Sequence, residues 1–112
     1  MDNNNFFESI QGKFLEIIDG FQHENNVCLL FLNQHSNDYN DNKQNVYDEI
    51  IRDIKINLSR INHFKNNFFN MLKNNENISI EDLSAYLIKI TTEIIDYRNQ
   101  LTEKITTLSV EI

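Results

Sequence analysis

Three histidines, one cysteine and a few adjacent pairs of acids are the residues from which this sequence would have to build a reactive site. A carboxylate-bridged di-metal centre in a helical protein needs Glu-x-x-His motifs, because three-residue spacing brings both ligands onto one helix face. The residues three before His23, His35 and His63 are Gly20, Leu32 and Arg60, so none of these histidines has the acidic partner. His23 and Cys28 stand five apart, whereas helical ligands pair at three or four. Cys28 lies within Val27-Cys28-Leu29-Leu30-Phe31-Leu32, whose apolar neighbours raise a thiol pKa, so the reading is an inert structural thiol. Asp48-Glu49 and Glu81-Asp82 are adjacent acids in expected first turns of helices, where the helix dipole accounts for them. The two glycines, Gly12 and Gly20, sit inside an apolar pattern of helical period and build no phosphate-cradling loop. The expectation is a protein that is not an enzyme, with no catalytic residue, metal or cofactor.

Charge restricts the partners. The net charge is −7, distributed as −5 over residues 1–40, +1 over 41–80 and −3 over 81–112. Arg52, Lys55, Arg60 and Lys65 give the middle segment a weak basic character, but a chain of this balance repels a phosphate backbone, and no nucleic-acid binding is expected. Those cations are expected to pair with the acidic segments on either side. A lone cysteine forms no intrachain disulfide, Met1 to Asn5 lacks the features of a signal peptide, and no apolar stretch approaches the ~20 residues of a membrane span. These features point to a cytoplasmic or nuclear protein, neither secreted nor inserted in a membrane.

The elements that position these residues are helices. Apolar residues recur at Phe6, Ile10, Phe14, Ile17, Phe21, Cys28 and Phe31, in steps of three and four with Glu24 at the unfilled place. A polar, turn-rich stretch from Asn33 to Asn42 follows. The second stripe is Tyr47, Ile51, Ile54, Leu58, Ile61, Phe68 and Leu72, and residues 73–77 make a short link. Ser79, with Glu81 and Asp82 after it, reads as a helix N-terminus. The third stripe, Leu83, Leu87, Ile90, Ile94, Tyr97, Leu101, Ile105 and Leu108, is nearly a pure heptad. Pro is absent, which suits long helices. The chain reads as one all-α domain over residues 1–112, an elongated antiparallel three-helix bundle or coiled coil with helices at about 4–32, 44–72 and 79–110. A four-helix alternative breaks the first segment near Asn25.

Apolar surface then exceeds what one core needs. Six apolar residues in succession from Val27 to Leu32 cover the whole circumference of a helix. Counted on the heptad from Ile10, Cys28 and Phe31 face inward, and Leu29 and Leu30 outward. Phe68 and Phe69 cannot both point the same way, and Phe64 and Met71 widen the second stripe. Exposed apolar patches on soluble proteins usually mark interfaces, so Leu29, Leu30, Leu32, Phe64, Phe69 and Met71 are the expected protein-interaction residues. The function expected is a non-catalytic interaction module, a small coiled-coil adaptor or structural subunit of a larger complex that binds other proteins, or itself, through helical apolar faces. The alternative is a small acidic inhibitor or immunity-type protein that blocks a basic enzyme, steered by its net charge.

Overall fold

The computed structural model describes residues 3–35, 41–74 and 78–110. It contains three helices, α1 (Asn3–Gln34), α2 (Asp41–Asn74) and α3 (Ile80–Val110), packed against one another, and no strand among the described residues. The expected connections at residues 36–40 and 75–77 lie outside the described residues. The chain is an all-α three-helix bundle measuring 59 × 21 × 17 Å. α1 and α2 run one to three residues past their expected starts and ends, and α3 starts one residue later than expected and ends at the expected residue.

α1 is continuous through Gly20 and Asn25, so the four-helix alternative does not hold. A helical glycine costs only about 1 kcal/mol relative to alanine, too little to break a helix buried along one side. Asn25 does not turn the chain either, because its Nδ2 donates to the Phe21 carbonyl oxygen one turn back at 2.8 Å. At α3 the sequence signal holds: the Asp82 amide donates to Ser79 Oγ at 3.0 Å, satisfying one of the free donors of the first turn.

The first residues of α2 tie together the ends of the other two helices. Tyr47 Oη donates to the carbonyl of Leu32 at 3.2 Å, and Lys43 Nζ donates to the carbonyl of Leu108 at 2.9 Å. Those carbonyls belong to the last turns of α1 and α3, where free acceptors and the negative end of the dipole favour a donor, above all a cation. α1 and α3 therefore both end where α2 begins, and they run parallel with α2 antiparallel to each.

Burial corrects the expected register of α1. Its buried positions are Ile10, Phe14, Ile18, Phe21, Asn25 and Leu32. Ile10, Phe21 and Leu32 stand eleven residues apart, the spacing of a 3.67-residue turn rather than the 3.5 of a heptad. An ideal helix drifts by ~20° per heptad, so the heptad count from Ile10 leaves the core as it proceeds. Leu32 is 1% exposed and Phe31 is 52% exposed, the reverse of the heptad expectation for Phe31. Phe6, the expected start of the stripe, is exposed as well. α2 keeps a 3.5 spacing, but along Tyr47, Ile50, Ile54, Asn57, Ile61, Phe64 and Phe68, so Phe64 is core.

The core has two parts. One gathers Phe14, Ile18, Phe21, Ile61, Phe68, Ile90 and Ile94, with the rings of Phe14 and Phe68 stacked at 4.0 Å. The other gathers Leu32, Tyr47, Ile50, Ile54, Leu101 and Leu108. Each buried Ile, Leu or Phe stabilises the fold by about 1.5–3 kcal/mol. Between the two parts lies a polar layer. Asn57 Nδ2 donates to Asn25 Oδ1 at 3.1 Å, both residues being buried, and Arg60 donates to Asn57 Oδ1 at 3.0 Å. The Arg60 guanidinium lies 3.9 Å from the centre of the Tyr97 ring, a cation–π contact with α3.

Candidate functional site: an apolar groove between α1 and α3

The drift of α1 has a consequence at the surface. Residues on the heptad line stay close to the core near Phe14 and swing outward toward the end of the helix. Val27, Leu30 and Phe31 are 50%, 60% and 52% exposed on the last turns of α1. Beside them a groove of about 500 Å³ opens between α1 and α3, lined by His23, Glu24, Val27, Cys28 and Phe31 with Leu32 at its floor and Ile105 from α3. The ring of His35 lies 4.4 Å from that of Phe31, at the end of the same surface. Burial pushes the Cys28 thiol above its ordinary pKa, so it lines the groove as a small hydrophobic group and not as a thiolate.

At one end the groove is bounded by an ion pair. Arg98 Nε donates to Glu24 Oε2 at 2.6 Å, linking α3 to α1 across the surface. A partly exposed pair of this kind contributes only about 0.2–1 kcal/mol, but it neutralises the Arg98 guanidinium at the groove rim. Ile95, one turn before Arg98, and Ile88, seven residues earlier still, are both exposed on α3.

The cations of the middle segment do not take the partners expected of them. The ion pairs between helices among the described residues use the cations of α3: Arg98 binds Glu24 on α1, and Lys104 binds Glu49 at 2.9 Å and Asp53 on α2. Arg60 instead joins the asparagine layer. The reason is the register of α2, which turns Arg60 toward Asn57 and Tyr97 and sets Asp53 toward α3.

Of the expected interaction residues, Leu30 is the most exposed and Phe69 is half exposed, its ring edge-on to those of Phe14 and Phe68. Leu29 packs into the second core part and Met71 against the first, each half-buried. Leu32 and Phe64 are core and reach the surface only at the floors of two grooves. Leu30 lies beside the groove residues on α1, whereas Phe64, Phe69 and Met71 are on α2, so the six do not form one site. Val27, Phe31 and Ile105 were missed, and the eleven-residue spacing of Ile10, Phe21 and Leu32 was the signal that would have found the first two.

A second groove, of about 330 Å³, lies between α2 and α3, and its lining mixes polar with apolar groups, among them Arg60, His63, Asn67, Glu93, Tyr86 and Ile90. Burial pushes the Tyr86 phenol above its ordinary pKa, Asn67 opposes the rise and Glu93 adds to it. No hydrogen bond of ordinary geometry reaches the Tyr86 hydroxyl among the described residues. Among those residues, no three His, Cys, Asp or Glu side chains lie close enough together to hold a metal ion. Among the described residues, no helix is long and apolar enough to cross a membrane. No protein-family model matches the chain, and no curated protein or solved structure matches it significantly.

Proposed function

We propose that this protein is a non-catalytic interaction module, an adaptor or structural subunit of a larger assembly, and that the α1/α3 groove is its binding face. The observation that supports the reading is the exposure of Val27, Leu30 and Phe31 beside a 500 Å³ apolar groove. Large side chains left in water over three adjacent positions of a helix that already has a complete core have no role in the fold of the single chain. Phenylalanine in the middle of such a patch is a common interface anchor. Of the polar groups that line it, Cys28 has its thiol pKa raised by burial and Glu24 is engaged by Arg98. A cytoplasmic or nuclear location suits a module of this kind with an unpaired thiol.

The test is Val27→Glu with Phe31→Glu in one chain. Both side chains are half exposed, so the folded state should persist with stability changed by about 0.5 kcal/mol per site, while proteins co-purifying from the native host should be lost. Unchanged co-purification by a folded variant would refute the groove as the binding face.

A further inference from the structure

We infer that the groove between α2 and α3 is a binding site for a free aromatic amino acid, whose carboxylate is taken by Arg60 and whose ammonium group is taken by Glu93. The site lies on a different face from the α1/α3 groove and does not depend on how that groove is used.

Two half-buried charges lead to this ligand. Arg60 and Glu93 both line the groove, and each is partly withdrawn from water. Among the described residues no acid lies within ion-pair distance of Arg60, and no cation lies within that distance of Glu93. The cations that join helices elsewhere, Arg98 and Lys104, are by contrast held by acids. A charge drawn partly out of water is costly unless an opposite charge or hydrogen bonds compensate it. Arg60 is also fixed in advance. Its Nη1 donates to Asn57 Oδ1 at 3.0 Å, and its guanidinium lies over the Tyr97 ring at 3.9 Å. The rest of the planar fork remains for a carboxylate, the partner whose geometry it matches, and a group already held in position lowers the ordering cost of binding.

The spacing suits one small zwitterion. The guanidinium rests on Tyr97, and Glu93 stands four residues before Tyr97 on α3, about 6 Å along the helix axis. Two charge-assisted hydrogen bonds of about 2.8 Å each, joined through the carboxylate, Cα and ammonium of an amino acid, bridge a separation of that order. A ligand with the carboxylate alone sets like charge against Glu93. One with the ammonium alone sets like charge against Arg60, with Lys89 on the same groove. The apolar part of the ligand is named by the remaining walls: Phe64 and Ile90 are core side chains reached from the groove, and Tyr86 and Tyr97 add rings on α3. Aromatic rings pair favourably edge-on or offset. A cavity of ~150 Å³ holds a benzene ring, so 330 Å³ takes such a ring together with the amino-acid backbone.

Calorimetry of the full chain tests the assignment with three probes: L-phenylalanine, phenylpropionate, which lacks the ammonium, and phenethylamine, which lacks the carboxylate. Phenylalanine should bind saturably, and each analogue should bind more weakly by about tenfold or more. Glu93→Gln keeps the shape of the side chain and removes its charge. It should weaken phenylalanine by about tenfold or more while leaving phenylpropionate unchanged or tighter, an opposition that lost packing does not produce, and its melting temperature should stay near that of the parent. NMR shifts caused by phenylalanine should fall on Tyr86, Ile90 and Tyr97. No binding of phenylalanine at millimolar concentration, equal binding of either analogue, or unaltered binding by Glu93→Gln would overturn the inference. Val27→Glu with Phe31→Glu should bind phenylalanine as the parent does; loss of binding by that variant in its folded state would move the ligand to the α1/α3 groove and overturn the inference as well.

Discussion

Asn25 and Asn57 hydrogen-bond to each other at the middle of an otherwise apolar interior. Removing one partner leaves a buried amide unpaired, at a cost of about 1–3 kcal/mol, whereas replacing both by apolar groups of similar shape can be nearly neutral. Asn25→Ala should therefore lower stability by that amount in chemical denaturation, and Asn25→Leu with Asn57→Leu should recover most of it. A buried asparagine is best understood as a device for register, so the recovered double variant should pay in uniqueness, with broadened NMR lines or mixed oligomers. Neither residue was legible as core, because asparagine recurs throughout this chain and a search for apolar periodicity passes over it. Lys104 gives a second test at this scale. Its pKa is raised, first by the hydrogen bond to Asp53 and then by that to Glu49. The folded state thus holds the proton more tightly than the unfolded chain. This contribution is fully present below the unfolded pKa of about 10.4 and is lost as pH rises through the higher folded value. Lys104→Met should melt lower than the parent at neutral pH, by an amount equivalent to about 1 kcal/mol or less, and the two melting curves should converge in strongly alkaline solution.

At the scale of elements, α3 was legible from spacing, whereas α1 and α2 were legible in extent but not in full register, α2 burying Ile50, Asn57 and Phe64 where Ile51 and Leu58 were expected. The existence of each helix follows from burial of one side, a signal that any count near 3.6 detects. Which side is buried depends on whether the count is 3.5 or 3.67, and over twenty residues the two diverge by more than half the width of a core stripe. The groove was hidden for the same reason, since Val27 and Phe31 become surface only when Leu32 is known to be core. Leu29 and Leu30 now separate: Leu30→Glu should change stability by less than about 0.5 kcal/mol, and Leu29→Glu should cost about 1–3 kcal/mol because Leu29 packs on the second core part. Ile94→Asp, at 1% exposure in the centre of α3, should abolish cooperative unfolding, as a buried unpaired carboxylate costs a large share of a small domain's stability. The glycines point the other way. A Cβ added at Gly12 or Gly20 meets no atom within 4 Å, so Gly20→Ala should raise stability by about 0.5–1 kcal/mol, measurable as a higher denaturation midpoint.

For the whole molecule, shape is the most direct check. The Cα radius of gyration is 17.6 Å, against about 13 Å for a compact domain of this length. Small-angle scattering of a monomer should return the larger value, and a value near the smaller would mean that the helices fold back on themselves. The elongated form also settles how the molecule carries load. Three antiparallel helices are an odd number, so the start of α1 and the end of α3 lie at opposite poles of a rod 59 Å long. Tension applied at Asn3 and Val110 runs along the helix axes and drives α1 to slide past α3, shearing both core parts and the asparagine layer together. An even number of helices would bring the two ends to one pole, and the same pull would open the bundle one turn at a time. Pulled from its two poles, this rod resists extension by the unfolding barrier of its whole interior.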